Sequence, residues 1–476
     1  MRFLDTYTVA GALAVLSATT ASASSPQQVM VKPDATLAAQ RPKETGVGHF
    51  SEWSRENKRQ FLIDWQNDRS SDWTIVQGNE GGDLDSMTSA LTWAYHLSHS
   101  TQNSSHPIKA IALLQTPTDA LDLRPENKLA LDNSKMSSGH SDLLTLDELP
   151  EDPDTLAEAI KGIVIVDHPV PLRKWRKAPI LSIFDHHKDS GAGQDAKPRV
   201  FEKVASCTTL VARQMLDELE ALPEEYHMPH ELLELILSAI AIDSGGLDGA
   251  TEEDRKVAER VLKRSNWRES DLYDKMGDLS KELKSAKKDL DHLGLRDLLR
   301  RDWKGDLVDT PSPRTPTVSL GFSSIPYSMD QQINKTEFGE LFDWFAVEAA
   351  WTAQVGADIS VALNKYKTRD DKGKKQKIRE IVLCVRTDVR INMAQADSLF
   401  ETVSKAIEAD ETLKVKPWYR AKELGTRQMV WTHEREDAGG RSSDPSWKLQ
   451  SRHGTCRLFY SNEINSAIPS YIFRTS

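Results

Sequence analysis

The first half of the chain alternates short apolar runs with amphipathic stretches. The run WTIVQGN is followed by a stretch from Ser86 whose apolar residues recur with helical spacing, at Met87, Ala90, Leu91 and Ala94. The runs IKAIALL, GIVIVDH and APILSIFDHH follow, each rich in aliphatic and β-branched residues, as fully buried parallel strands are. This alternation predicts an α/β fold with a doubly wound, mainly parallel sheet.

The second half has a different pattern. After the apolar helix HELLELILSAIAIDSGG, the composition shifts to a long charged helix, DLYDKMGDLSKELKSAKKDLDHL. A Pro-rich connection then leads to a helix around FGELFDWFAVEAAWTAQ and to the strands ADISVALN and IREIVLCVRT. We predict a domain boundary near Asn266, with a first domain over residues 49–265 and a smaller α+β C-terminal domain over 266–476.

The N-terminus resembles a targeting segment. An apolar run from Val9 to Leu16 is followed by Ala21-Ser22-Ala23, the small-x-small pattern of a signal-peptidase site. We expect a signal peptide over residues 1–23 and a disordered leader over 24–48; an uncleaved leader is the alternative, because Asp5 weakens the positive start. The run is too short to span a bilayer, so no transmembrane segment is expected in the mature chain. A genuine signal predicts the secretory pathway or the cell exterior; otherwise the location is cytoplasmic.

Charge and cysteine content narrow the function classes. The chain has 61 basic and 72 acidic residues and a formal charge of -11, so we expect no nucleic-acid partner. Any polyanion must be held by a local basic patch or by metal ions. The three cysteines, Cys207, Cys384 and Cys456, are too few and too far apart for a disulfide framework or a CxxC zinc site. Without heptads or long apolar surface runs, the chain is expected to be a monomer, although a dimer stays open.

Acidic residues fall where the predicted elements end. Asp83 and Asp85 follow the first strand, Asp167 closes GIVIVDH, Asp185 closes SIFDHH, and Asp243 lies in SAIAIDSGG. The carboxyl ends of strands in a doubly wound sheet converge, and carboxylates gathered there repel one another unless cations intervene. Each residue alone has a plainer interpretation, such as a helix cap. Together they predict a site for hard divalent metals.

The motifs GNEGGDLDS, IVDH, FDHH, SCTTLVA and AIDS, in this order, resemble the signatures of the DHH phosphoesterase superfamily, above all its fungal exopolyphosphatase branch. The similarity extends from about Trp73 to the C-terminus, because LSKELKSAKKDLDHLGLRDLLRRDWKGD resembles the start of that branch's second domain. The resemblance implies two divalent cations, bridged by Asp85 and Asp167. The implied ligands are Asp83, Asp85, Asp167, His186 and Asp243.

Other residues take their expected roles from the same resemblance. Asn79 stands where related pyrophosphatases have a histidine, which favours Mg²⁺ over Mn²⁺ or Co²⁺. His187 is expected to be catalytic, protonating or positioning the leaving phosphate oxygen; the alternative is a hydrogen-bond donor to a ligand residue. The expected substrate-binding residues are Asn79, Ser206, Lys284, Lys287 and Arg452. For the last three, a solvated surface position is the alternative.

The leading hypothesis is a metal-dependent exopolyphosphatase that releases orthophosphate from the ends of inorganic polyphosphate, in a cleft between the two domains. The alternative within enzymes is a related phosphohydrolase acting on pyrophosphate, short-chain phosphate esters or cyclic nucleotides, like animal members of the branch. Those members replace the second histidine of the DHH motif by arginine, whereas this chain retains His187. A non-catalytic interaction protein on the same fold is the alternative from another class. The complete acidic set argues against it.

Overall fold

The computed structural model describes residues 48–99, 108–220, 228–310, 315–369, 373–387, 390–411, 413–434, 447–452 and 455–460. The chain divides into two compact units, Met1–Thr45 and Gly46–Ser476, and all described residues belong to the second. The predicted signal peptide, and the predicted leader apart from Gly48, lie outside the described residues. Among the helices in the described ranges, none is both long enough and apolar enough to cross a membrane.

A six-stranded parallel sheet organises the first half of the chain. Its strands are β1 (Trp73–Gln77), β2 (Lys109–Leu114), β3 (Leu144–Thr145), β4 (Gly162–Val166), β5 (Ile180–Asp185) and β6 (Arg199–Phe201). Their order is β3-β2-β1-β4-β5-β6, and every neighbouring pair is parallel. The strand order reverses between β1 and β4. Doubly wound sheets bind ligands at such a point, in the crevice outside the carboxyl ends of the two strands. The predicted doubly wound, mainly parallel sheet is confirmed.

Helices cover both faces of this sheet. They are α1 (His49–Gln66), α2 (Leu84–His99), α3 (Pro125–Asn133), α4 (Pro153–Ala159), α5 (Cys207–Glu220), α6 (His230–Ser244), α7 (Glu252–Arg264) and α8 (Leu272–Ala286). Val76 of β1 packs in a core shared with α2, α5 and α6, whereas its neighbour Ile75 packs with Leu156 of α4. Successive residues of the strand therefore pack against helices on opposite faces of the sheet, because neighbouring side chains of a pleated strand point in opposite directions.

The charged helix α8 packs with the first half of the chain. Its apolar residues Met276, Leu279 and Leu283 are buried in the core that contains α2, α5 and α6. The boundary near Asn266 stays a prediction. The packing nevertheless places Lys284 of α8 beside Gly245, the residue that follows α6.

The second half forms a mixed sheet with its own helices. The helices are α9 (Leu295–Arg301), α10 (Met329–Ile333), α11 (Leu341–Val355) and α12 (Met393–Ala409). The strands are β7 (Trp303–Asp309), β8 (Thr317–Ile325), β9 (Ile359–Arg369), β10 (Lys375–Val385), β11 (Lys416–Pro417) and β12 (Gln428–Glu434), in the order β11-β12-β10-β9-β8-β7. Only the pair β8 and β9 is parallel within this described sheet. Strands β13 (Trp447–Arg452) and β14 (Thr455–Tyr460) form a separate antiparallel pair. The predicted α+β region is confirmed.

Candidate active site

The loop from Gly78 to Asp83, here called the glycine loop, joins β1 to α2. A Cβ atom at Gly78 would lie 2.5 Å from the Cβ of Ser86, so only glycine allows the chain to pass so close to the helix. Gly82 takes a φ of +54°, and a side chain there would meet Thr116. Asp83 Oδ1 accepts a hydrogen bond from the Ser86 amide at 3.1 Å and so caps α2. The loop thereby delivers both aspartates of the pair to the carboxyl end of β1.

Asp85 lies in the first turn of α2 and is buried. Residues at the start of α5 hold its carboxylate in place. Its carboxylate accepts hydrogen bonds from the Ser206 hydroxyl at 2.7 Å, the Cys207 amide at 2.6 Å, and both the amide and the hydroxyl of Thr208 at 2.7 Å. Ser206, predicted to contact substrate, therefore donates its hydroxyl to Asp85. These bonds fix the carboxylate with Oδ2 3.9 Å from His186 Nε2.

Asp167 occupies the turn after β4 in an unusual backbone conformation. Its φ is +60°, a left-handed value that non-glycine residues rarely adopt. The Asn79 amide nitrogen donates to Asp167 Oδ2 at 2.8 Å, and the Ser86 hydroxyl donates to the same oxygen at 2.6 Å. Burial, reinforced by repulsion from Asp85 and Asp83, raises the pKa of Asp167 to about 7. The carboxylates at this edge of the sheet therefore repel one another, and the protein's own cations do not fully offset this repulsion.

The two histidines after β5 face this cluster through different nitrogens. His186 Nδ1 lies 3.1 Å from the Val204 carbonyl oxygen, to which it donates in the tautomer that leaves Nε2 toward Asp167, 3.2 Å away. Burial opposes protonation of His186, but the hydrogen bond to Asp167 and the charges of Asp85 and Asp167 raise its pKa to about 10. The His186 imidazole is therefore the electrostatic partner of the carboxylate cluster.

His187 is anchored by the aspartate that closes β5. Its Nδ1 lies 2.7 Å from Asp185 Oδ1, and about a third of its side chain, 34%, is exposed. Asp185 is fully buried, and its Oδ2 has no hydrogen-bond partner among the described residues. Because Nδ1 is engaged, Nε2 is the ring nitrogen of this partly exposed side chain that remains for other contacts. Asp185 thus holds His187 in one orientation.

The donor set fits a divalent cation. Asp167, His186 and His187 each offer a ligand atom, and these atoms lie within 4.8 Å of one another. Carboxylate oxygens and an imidazole whose other nitrogen donates to a carbonyl are the groups that divalent metals select. The raised pKa of Asp167 has the same implication, because a bound cation would favour the ionised form of a carboxylate that burial and its acidic neighbours disfavour.

Asp243 belongs to the same electrostatic cluster. It lies in the last turn of α6, just before Gly245, whose φ of +72° ends the helix. Burial and repulsion from Asp85 and Asp83 raise the pKa of Asp243 well above its ordinary value. The residue as a whole retains solvent contact, whereas its carboxylate lies in the field of the other two. The structure thus brings Asp243 into the field of the other carboxylates.

The predicted basic residues have different positions. Lys284 Nζ lies 3.2 Å from the point that a Cβ of Gly245 would occupy, directly beside the turn after Asp243. Lys287 is exposed, and its charge counteracts the raised pKa of Asp243. Arg452 ends β13 with its backbone opposite Thr455, and its side chain lies outside the described part of the structure. Lys284 in α8 and Lys287 directly after this helix therefore border the site.

Sequence reasoning missed Arg124 and Lys304. Burial alone would raise the pKa of Asp83, but the charge of Arg124 and the hydrogen bond from the Ser86 amide lower it, and Lys287 and Lys304 act in the same direction. Arg124 is buried before α3, with Nη2 3.2 Å from Asp302 Oδ1, and Lys304 lies two residues further on in β7. Nothing in the local sequence LDLRPENK or RDWKGD marks these residues. Only the fold brings them to the glycine loop.

Cys207 lies near the carboxylates but is no candidate nucleophile. Its side chain is fully buried and its Sγ lies 3.2 Å from the Phe184 carbonyl oxygen. Burial, with the charges of Asp85 and Asp167, raises the pKa of the thiol well above its ordinary value. The reactive thiolate is therefore disfavoured at this position.

Comparison with known proteins gives matches over both halves of the chain. The model described as "DHH family, N-terminal domain" matches residues 73–240, and the "DHHA2 domain" model matches residues 281–451. A Schizosaccharomyces pombe protein named "Putative exopolyphosphatase" is 31% identical over 406 residues, which cover 81% of this chain and 96% of that protein. "Exopolyphosphatase PRUNE1" of Rattus norvegicus is 30% identical over 242 residues, about half of each chain at 48%.

Among solved structures, one similar chain is titled "Crystal structure of Methanococcus jannaschii putative family II inorganic pyrophosphatase". The TM-score is 0.43 and the identity 16%, over 75% of this chain and 93% of that chain. The two family domains are matched in order, and the S. pombe relative is aligned over nearly its whole length. The chain therefore belongs to the DHH phosphoesterase superfamily and to its exopolyphosphatase branch.

Proposed function

We propose that the chain is a divalent-metal-dependent exopolyphosphatase that hydrolyses the terminal phosphoanhydride bond of inorganic polyphosphate and releases orthophosphate. The observation that carries the proposal is the convergence of Asp85, Asp167 and His186 at the carboxyl ends of the parallel strands, with His187 beside them. The hydrolase class is supported by the family, and the substrate is suggested by the names of the relatives.

The proposed metal-holding residues are Asp83, Asp85, Asp167, His186 and Asp243. Divalent ions, when bound, supply Lewis acidity toward a phosphoryl oxygen, lower the pKa of water and offset the charge that develops in phosphoryl transfer. Oxygen ligands dominate this set, so Mg²⁺ is the expected ion and Mn²⁺ or Co²⁺ are the alternatives. Asn79 and Ser86 orient the Asp167 carboxylate through the hydrogen bonds that they donate to Oδ2.

His187 is the proposed proton donor to the leaving phosphate oxygen. Its Nδ1 is held by Asp185 at 2.7 Å, so the ring cannot turn that nitrogen toward substrate. The free nitrogen, on a side chain that is partly exposed, then holds the proton where a leaving group in the cleft could take it. The buried Asp185 carboxylate fixes the orientation of the imidazole that this role needs.

Three lysines near the carboxylate cluster form no salt bridge with a described carboxylate. Their charges favour a long polyanionic substrate over a short one. Lys284 lies in α8, Lys287 directly follows that helix, and Lys304 lies in β7, so cations approach the carboxylate cluster from two separate parts of the chain. A polyphosphate chain carries negative charge along its whole length and could contact both sides, whereas pyrophosphate is only two phosphoryl groups long. This observation favours polyphosphate over pyrophosphate as substrate.

The test is orthophosphate release by the purified full chain from long-chain polyphosphate and from pyrophosphate, each with Mg²⁺, Mn²⁺ or excess chelator. We expect release from the long chain that chelator abolishes, with much less from pyrophosphate. Faster release from pyrophosphate would favour the alternative phosphohydrolase. No release from either substrate with either metal would contradict the proposal and favour an interaction protein.

A further inference from the structure

The glycine loop is held from outside by Asn127, in the first turn of α3. The side-chain amide of Asn127 donates to the Gly82 carbonyl at 2.8 Å, and Gly82 is the residue directly before Asp83. Glycines lose more backbone freedom on folding than other residues do, so a loop with three of them depends on contacts that fix one conformation. Asn127, which is only 7% exposed, supplies such a contact next to Asp83.

Arg124, directly before α3, lies beside the same loop. Its Nη2 is 3.2 Å from Asp302 Oδ1, and a Cβ atom at Gly81 would lie 3.4 Å from this nitrogen and 3.1 Å from that oxygen. The buried ion pair therefore occupies the space beside Gly81. Asp302 follows α9 and precedes β7, so the pair joins the glycine loop to the second half of the chain.

Neighbouring contacts fix Arg124 and Asn127 relative to each other. The Asn127 backbone amide donates to the Arg124 carbonyl at 2.9 Å. Arg301 of α9 donates from Nε to the Leu123 carbonyl at 2.9 Å, and its Nη2 lies 3.2 Å from Glu126 Oε1. These bonds attach α9 to the chain on both sides of Arg124. The Asn127 and Arg124 side chains consequently approach the loop from one segment whose backbone is fixed.

A buried ion pair is weak evidence of stability, because taking both charges out of water is costly, but it can fix one arrangement of the groups that it joins. We propose that Asn127 and Arg124 are positioning residues that hold the glycine loop so that Asp83 can bind metal together with the other carboxylates. Through Asp302, Arg124 also couples this loop to the second half of the chain. The inference rests on the metal binding of the proposed function and is independent of the substrate.

The first test is calorimetric titration of the full chain with Mg²⁺ and with Mn²⁺. Asn127→Ala removes the bond to the loop. Asn57→Ala is the matched control, since the Asn57 side chain also donates to a backbone carbonyl, that of Ala110 in β2, at 2.8 Å. Both variants should lose similar stability in urea unfolding with excess chelator. Only Asn127→Ala should bind metal more weakly, by about tenfold, as expected when a group that orients a metal ligand is changed.

The second test addresses the coupling to the second half of the chain. Asp302→Asn removes the charge that pairs with Arg124, and Asp397→Asn is the control, because Asp397 pairs with Arg427 within the second half, at 2.8 Å. Asp302→Asn should weaken metal binding about fivefold, at the lower end of couplings between linked sites, although Asp302 is not a proposed ligand. Asp397→Asn should leave the affinity unchanged. The Asp302 side chain is 29% exposed, so this variant keeps the inference testable should Asn127→Ala fail to fold.

Equal metal affinity of Asn127→Ala and Asn57→Ala would overturn the positioning role, and equal affinity of Asp302→Asn and Asp397→Asn would overturn the coupling. Failure of the unaltered chain to bind either ion would overturn the inference together with the metal dependence of the proposed function. Metal binding that depends on Asn127, without phosphate release from polyphosphate, would instead support the inference and contradict the proposed function.

Discussion

At the scale of single residues, Asp167 combines a strained backbone with a crowded carboxylate. We expect both Asp167→Asn and Asp167→Gly to reduce phosphate release by more than about a hundredfold, since changing even a group that orients a metal ligand costs about 10–100-fold. In excess chelator, Asp167→Asn should be the more stable variant, because its amide oxygen can still accept from Asn79 and Ser86 and asparagine tolerates a φ of +60°. Phosphate-release assays and urea unfolding would measure the two effects, with Asp195→Asn as the exposed control. Full activity in Asp167→Asn would exclude Asp167 as a ligand.

The raised pKa of His186 predicts how the free energy of unfolding depends on pH when no metal is bound. Its folded-state pKa of about 10 exceeds its ordinary value of 6.5, so its contribution to stability is fully present below 6.5 and is lost as pH rises through 10. The free energy of unfolding should therefore fall between pH 7 and 9 by at most about 1.4 kcal/mol per pH unit. His186→Gln should flatten this slope in urea unfolding with excess chelator. An equally steep slope in the variant would assign the effect to other groups.

At the scale of elements, the start of α5 holds Asp85 with four hydrogen-bond donors, and one of them can be removed alone. Thr208→Val deletes the hydroxyl that donates to Asp85 Oδ1 at 2.7 Å, whereas Thr209→Val deletes the neighbouring hydroxyl that donates to Asp254 at 2.6 Å. Both hydroxyls are buried, so each change should lower stability by about 1–3 kcal/mol. Only Thr208→Val should weaken metal binding, by about tenfold in calorimetric titration. If the two variants bound metal with equal affinity, Asp85 would not be a metal ligand.

The elements also show what the sequence could predict. Strands β1, β2, β4 and β5 were predictable because a strand buried on both faces appears as an apolar run. Strand β3 was not, since its two residues, Leu144–Thr145, are too few to form a pattern. Asp83, Asp167 and His186 could be predicted as site residues because the motif of each adjoins the end of a predicted element. Arg124 is an isolated arginine in the sequence, and its position beside Asp83 depends on packing between distant segments.

At the scale of the whole molecule, the two halves of the chain meet at the glycine loop. The Gly305 amide donates to Glu80 Oε2 at 3.4 Å, and Asp302 pairs with Arg124. These contacts dock the start of β7 on the loop and bring Lys304 close enough for its charge to lower the pKa of Asp83, where burial alone would raise it. A long polyphosphate chain leaving the carboxylates would therefore meet cations from both halves.

The lysines of the two halves should act independently because they belong to separate elements, Lys284 to α8 and Lys304 to β7. Each change to methionine should raise the KM for long-chain polyphosphate about threefold to fivefold, as expected for a partly solvated charge worth up to about 1 kcal/mol. The double variant should show the product of the two effects, because independent sites add in free energy. Lys161→Met, at an exposed lysine, should leave the KM unchanged. Steady-state assays at two salt concentrations would measure these values, and a KM insensitive to both lysines would place the polyphosphate chain elsewhere.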